Sequence, residues 1–196
     1  MRIAILGGAF DPPHLWHKKI SEQLIKLLKF DQVWLIPCFS HPFDKKMASS
    51  KHRLAMTRLL QSRNIKVRQE EIKRKKKSYS IDTIKELKKK YPKNEFTWII
   101  GSDQIKDFPK WKSYRQLLKE VPFFVFPRPG NKIPKILPHN MKPIKHKGLF
   151  LSNLSSTKVR NYIKHGKKVS QLVTFDVEEY IKKHGLYKTQ NAKLKT

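Results

Sequence analysis

Gly7-Gly8-Ala9-Phe10-Asp11-Pro12-Pro13-His14-Leu15-Trp16-His17 joins two stretches of different character. Before it, Arg2–Leu6 is a short apolar run that reads as a buried strand. After it, Trp16, Ile20, Leu24, Leu27 and Leu28 recur at close to helical spacing, which predicts a helix over Leu15–Leu28. A glycine turn between a strand end and a helix start suits an anion. The glycines let the backbone approach closely, and the first helical turn offers free N–H groups and the positive end of a dipole. His14 and His17 are three residues apart, so within one turn they share a face and can donate hydrogen bonds to phosphate oxygens. The turn is not a P-loop, because G-x-x-x-x-G-K-[S/T] is absent. It is not a dinucleotide fingerprint either, because no G-x-G-x-x-G follows the strand.

Outward from this turn, strands alternate with helices. Strands are predicted at Val33–Ile36 (stopped by Pro37), Ile65–Val67, Phe96–Ile100 and Phe123–Phe126. Helices are predicted at Ser50–Gln61, Ser80–Lys90 and Trp111–Lys119, with two more, Ser155–His165 and Phe175–His184, near the end. The alternation implies an α/β chain: a Rossmann-like, mostly parallel sheet with helices on both faces and C-terminal helices appended. Five prolines and several lysines interrupt all periodicity over Pro127–Pro143, which reads as a loop. Residues 1–187 are expected to form a single domain, followed by a disordered Lys-rich tail, 188–196.

With 196 residues, 38% hydrophobic and 30% charged, the chain can bury a core under a very polar surface. Its apolar runs, such as Val121–Phe126, are too short to cross a bilayer, and the N-terminus lacks the features of a secretory signal. A cytoplasmic protein without a membrane partner is expected. The single cysteine, Cys38, excludes an intrachain disulfide and reads as a small packing residue. The net charge of +29 is compatible with nucleic acid or polyphosphate partners. The lysines, however, are spread along the chain, denser at Lys73–Lys77 and Lys88–Lys90, without interleaved aromatics for stacking bases. They read as solvated faces, and no specific nucleic-acid partner is expected. His41, His52, His139, His146, His165 and His184 share no metal-ligand spacing, so no protein-built metal site is expected.

Further motifs follow in order: Ser78-Tyr79-Ser80-Ile81-Asp82-Thr83; Gly101-Ser102-Asp103 with Trp111; Arg128-Pro129-Gly130; and Leu154-Ser155-Ser156-Thr157-Lys158-Val159-Arg160. A closing segment, Val177, Tyr180-Ile181 and Leu186-Tyr187, comes last. Together with the opening turn, which is similar to G-G-[T/A]-F-D-P-x-H-x-G-H, the set resembles the nucleotidyltransferase superfamily, and specifically the bacterial nicotinate mononucleotide adenylyltransferases. The resemblance spans residues 1 to about 187. It implies the nucleotidyltransferase fold and transfer of AMP from ATP to nicotinate mononucleotide, releasing pyrophosphate. The substrate phosphate is itself the nucleophile, so the protein's task is alignment and charge stabilisation.

The resemblance further implies catalytic roles for His14, His17, Lys45 and Arg160, with Lys46 the alternative to Lys45 in the Pro37–Lys46 loop. ATP contacts are implied for Gly7, Gly8, Ala9, Phe10, His14, His17, Gly101, Asp103, Ser155, Ser156 and Arg160. Acceptor contacts are implied for Ser80, Thr83, Asp103, Trp111, Lys112 and Arg128. Read from the residues alone, Asp82 and Thr83 instead cap or orient the helix they begin. Mg²⁺ is expected, held mainly by ATP. ATP and a pyridine mononucleotide are the expected partners, and a homo-oligomer is compatible with this reading.

Three positions depart from the pattern. Trp16 replaces the glycine of H-x-G-H, so its indole must point away or reshape the adenosine pocket. Ala9 replaces a threonine, and Thr174-Phe175 stands where a proline often precedes the last helix. Two alternatives stay open: an acceptor such as nicotinamide mononucleotide or phosphopantetheine, and a nucleic-acid-binding module that uses the basic surface.

Overall fold

The computed structural model describes residues 1–188. The expected tail therefore lies, except for Lys188, outside the described residues. The strands are β1 (Arg2–Gly8), β2 (Gln32–Pro37), β3 (Ile65–Val67), β4 (Glu95–Gly101), β5 (Phe123–Phe126) and β6 (Met141–Pro143). They form one sheet in the order β3-β2-β1-β4-β5-β6, with every pairing parallel. The helices are α1 (Leu15–Leu28), α2 (Ser50–Arg58), α3 (Glu70–Arg74), α4 (Ser80–Lys90), α5 (Tyr114–Glu120), α6 (Ser156–Lys164) and α7 (Phe175–Lys183). A 3₁₀ segment, Ser102–Lys110, follows β4.

Alternation along the strands divides the core between the two faces of the sheet. Ala4, Val33, Leu35, Ile99 and Phe126 pack with Leu24 of α1, Met56 of α2, Val159 of α6 and Val177 and Ile181 of α7. Their neighbours Ile3, Ile5, Trp34, Ile36, Trp98, Ile100, Phe123 and Val125 pack with Ile84 and Leu87 of α4 and Leu117 of α5. The appended C-terminal helices thus complete one apolar layer.

Two sequence expectations are corrected, and one short helix was not foreseen. The Pro127–Pro143 segment is not all loop: its last three residues form β6, with Met141 beside Phe123 and Pro143 beside Val125. A three-residue edge strand is too short to show periodicity, and at an edge the missing N–H of proline is tolerated. The helix expected from Trp111 begins at Tyr114. Pro109 lies inside the 3₁₀ segment, Trp111 is extended and Ser113 is left-handed at φ 52°. The short α3 escaped notice because its five residues, Glu-Glu-Ile-Lys-Arg, carry almost no apolar pattern.

Gly7 shows what the first strand requires. A Cβ there would meet Cζ2 of Trp98 at 2.7 Å, and that indole is buried in the core. On that side the close approach Gly7 permits is that of an indole, not of a phosphate. Gly7→Ala is expected to cost about 1–3 kcal/mol through overpacking, measured by urea unfolding. An unchanged midpoint would contradict this packing account.

Candidate active site

The chain enters the sheet at β1, adds β2 and β3 on one side, then crosses to place β4, β5 and β6 on the other. The carboxyl ends of β1 and β4 therefore border a topological switch point, where open α/β sheets bind ligands. The glycine turn and the first turn of α1 lie there.

His14 is the extended residue just before α1, and His17 is the third residue of the helix. Their rings stack with centroids 3.8 Å apart and planes inclined by 28°. The backbone N–H of His14 donates to Nδ1 of His17 at 3.1 Å, which leaves the proton of the neutral ring on Nε2. Phe10, left-handed at φ 49° and buried, sets its ring 4.8 Å from that of His17. Burial, with the nearby Arg128 charge, lowers the His17 pKa from 6.5 to about 3. Burial also holds His14 well below its usual range, with the His17 and Arg128 charges adding to the effect. The pair is thus neutral at physiological pH, and Nδ1 of His14 is buried without a hydrogen-bond partner.

The start of α6 docks on the same turn. Ser155 caps the helix by accepting from the Lys158 N–H, and the Ser156 hydroxyl donates to the Pro12 carbonyl at 2.8 Å. Arg160 donates to the Asp11 carbonyl at 2.7 Å and lies 3.7 Å from its carboxylate, so this guanidinium is partly committed to holding the turn. From the β4 and β5 side, Arg128 reaches Asp103 at 3.5 Å and donates to the Leu154 carbonyl at 2.9 Å. A Cβ on Gly101 would lie 2.3 Å from Oδ1 of Asp103 and 2.9 Å from Cδ of Arg128, so only glycine leaves room for this pair. Gly8, Phe10, His14, His17, Gly101, Asp103, Arg128, Ser155, Ser156 and Arg160 are linked by this bonding or are adjacent to it.

A second group assembles at the start of α4. Lys112 lies 3.3 Å from the Asp82 carboxylate and 4.4 Å from the Tyr79 ring centroid, which brings the Trp111–Lys112 turn beside Ser80. Trp111 is half-buried against Phe108, with centroids 5.2 Å apart, and keeps an open side. Thr83 is fully buried, and its hydroxyl donates to Glu71 at 2.7 Å while accepting from Arg74, so it serves the packing of α3 on α4. Lys45 and Lys46 are both exposed in the loop after β2.

Two residues given no role by sequence reasoning, Asp11 and Arg53, hold these loops. The Asp11 carboxylate is buried and accepts from the Ala48 N–H at 3.1 Å and the Tyr187 hydroxyl at 2.9 Å. Arg53, also buried, donates to the carbonyls of Ala9 (2.8 Å), Phe39 (2.8 Å) and Ala48 (2.9 Å). One signal was present: Arg53 falls in helical register with Met56 and Leu60, on the apolar stripe of its helix. Asp11 lay inside the quoted turn, but its partners are remote in sequence.

The cytidylyltransferase-like family model matches residues 5–162. Over 98% of the chain, 37% of residues are identical to a protein of Halalkalibacterium halodurans named "Probable nicotinate-nucleotide adenylyltransferase", of which 94% is covered. The chain belongs to the cytidylyltransferase-like family, in its nicotinate-nucleotide adenylyltransferase branch. A protein of Shouchella clausii with the same name is 36% identical, with 97% of this chain and 98% of that one covered. Among solved structures, the fold matches that of Plasmodium falciparum nicotinic acid mononucleotide adenylyltransferase complexed with NaAD. The TM-score is 0.79 at 24% identity, over 95% of this chain and 97% of that one.

The depressed histidine pKa values have a consequence for stability. The unfolded chain takes up protons near 6.5 whereas His17 resists them down to about 3. The contribution is therefore complete above about 6.5 and is lost as pH falls towards the folded value. Each such histidine steepens the decline by at most about 1.4 kcal/mol per pH unit. Urea unfolding of wild type and His17→Gln between pH 7 and 5 checks this. The wild type should lose stability faster, and equal slopes would contradict a neutral, buried His17.

Proposed function

We propose that this chain is a nicotinate-nucleotide adenylyltransferase: it transfers AMP from ATP to nicotinate mononucleotide, giving nicotinate adenine dinucleotide and pyrophosphate for NAD biosynthesis. The observation that carries the reading is the stacked, neutral His14–His17 pair at the sheet's switch point, faced by Arg128 and by the docked start of α6. The relatives named for this activity support it.

In this mechanism the 5′-phosphate of the mononucleotide attacks the α-phosphorus of ATP in line, and the bond to pyrophosphate breaks. The chain supplies no nucleophile. Nε2–H of His17 donates to a phosphate oxygen, and His14 holds a second one beside it. Two neutral donors bind the polyanion without first having to bring two buried cations together. Arg128 and Arg160 supply full positive charge from opposite sides, stabilising the transition state with dipoles and charges already in place. Lys45, on its exposed loop, reaches the phosphates when substrate is bound.

Magnesium fits this site as a companion of the triphosphate. Among the described residues no group of three or more His, Cys, Asp or Glu is arranged to hold an ion, and the Asp11 carboxylate is already bonded within the fold. When bound, the ion neutralises phosphate charge. The acceptor ring stacks on the open side of Trp111, and its carboxylate receives the backbone N–H groups of Ser80 and Lys112. A pocket of N–H donors prefers the acid to the amide, whose own N–H groups would face donors. Among the described residues no helix is long and apolar enough to cross a membrane, and the buried free thiol Cys38 suits a reducing cytoplasm.

Pyrophosphate release with ATP and either mononucleotide, with the product identified by mass, tests the reading. Turnover should favour nicotinate mononucleotide clearly; equal rates would remove the acid preference, and no dinucleotide from either would remove the function. His17→Ala should lower kcat by about 10²–10³-fold without loss of fold. Trp111→Ala should raise the KM for the mononucleotide far more than that for ATP; matched changes would make the ring structural.

A further inference from the structure

Trp16 stands where the family pattern has glycine, one residue before His17, and the structure shows where its indole goes. The ring is buried at 2% exposure, edge-on to Phe126 at the end of β5 (5.7 Å) and to Phe150 in the loop before α6 (5.8 Å). Its Nε1–H is buried with no hydrogen-bond partner. Neither ring packed against the indole, Phe126 or Phe150, carries an acceptor. Buried donors are rarely left unpaired unless another group completes them.

We propose that Nε1–H of Trp16 is a hydrogen-bond donor to the nucleoside half of bound ATP, and that Phe150 is the cover over it. The inference rests on the adenylyltransferase reading. If the acceptor lies at Trp111 and Ser80 and the triphosphate at the histidines, the adenosine extends to the other side of the pair, towards α6 and Trp16. Successive residues of a helix project about 100° apart, so Trp16 leaves the first turn beside the histidine face and not on it. Phe150 is built to move alone. Gln23 grips its backbone from both sides, accepting from the Phe150 N–H at 2.7 Å and donating to its carbonyl at 3.2 Å, yet the residue is 66% exposed. The ring can swing off Trp16 while the backbone stays fixed, and the entering nucleoside then supplies the acceptor that the fold withholds. In this chain a donor and an aromatic wall thus replace the open space of the family glycine, and Trp16 becomes a determinant of nucleotide affinity.

The indole N–H signals of ¹⁵N-tryptophan-labelled full-length protein report on this directly, with Trp16 assigned through its contacts to Phe126. Trp34, whose Nε1 already donates to Gln32 at 2.9 Å, serves as internal reference. Adding α,β-methylene ATP should move the Trp16 signal downfield, and adding nicotinate mononucleotide alone should not. A Trp16 signal that stays put under saturating analogue overturns the proposal, with no variant required. In steady-state assays Trp16→Phe, which keeps an aromatic ring and loses only the donor, should raise the KM for ATP about tenfold, the worth of one hydrogen bond, with the KM for the mononucleotide unchanged. An unchanged ATP KM also overturns it. If the wild type makes no dinucleotide while the Trp16 signal still responds to the analogue, the function reading fails and the nucleotide contact stands.

Discussion

The Asp11 carboxylate lies where four segments of the chain meet, and the site depends on what it gathers. It belongs to the glycine turn after β1, takes a backbone N–H from Ala48 ahead of α2 and a hydroxyl from Tyr187 beyond α7, and faces Arg160 of α6. A buried carboxylate is costly unless its lone pairs are filled, so these partners are a condition of its burial. Because the partners come from distant parts of the sequence, satisfying one charge fixes the relative positions of the turn, the helix that carries His14 and His17, and the helix start that faces them. Tyr187 answers in kind: burial and the neighbouring carboxylate push its hydroxyl far above the usual tyrosine range, so it stays a donor.

Arg53 does the complementary task from below. Its guanidinium, at 1% exposure, lies close behind the turn and bonds to backbone carbonyls and a thiol, with no carboxylate among those bonds. Carbonyl dipoles from the glycine turn and from both ends of the loop between β2 and α2 compensate it, and the two loops are thereby tied to the same planar fork. The stacked histidines sit above this base with little freedom to rotate, since His17 is fixed through Nδ1 and flanked by Phe10. Alignment of this kind is what a reaction needs when the substrate brings its own nucleophile.

Much of this was legible in the sequence because the relevant signals are local. The strand Arg2–Leu6, the double glycine and the two histidines describe a strand–turn–helix without help from the rest of the chain, and α1 and α4 kept their expected bounds. The parallel sheet followed from the alternation of elements. Illegible parts had non-local causes: β6 exists because β5 offers an unpaired edge, and α5 starts late because Trp111 is drawn out of helix against Phe108 and Phe123. The bond from the Thr83 hydroxyl to Glu71, which burial keeps unusually hard to ionise, was likewise illegible, because the two residues lie on different helices. Arg53 was hidden among 44 basic residues, most of which a composition-level reading correctly leaves at the surface.

The central claim is that the imidazole pair receives the triphosphate at the carboxyl ends of β1 and β4. A crystal structure of the protein with α,β-methylene ATP and nicotinate mononucleotide tests it most directly. The account predicts phosphate oxygens within hydrogen-bond distance of Nε2 of His17, with the pyridine ring beside Trp111. A triphosphate bound elsewhere, with the two rings still stacked and untouched, would contradict it.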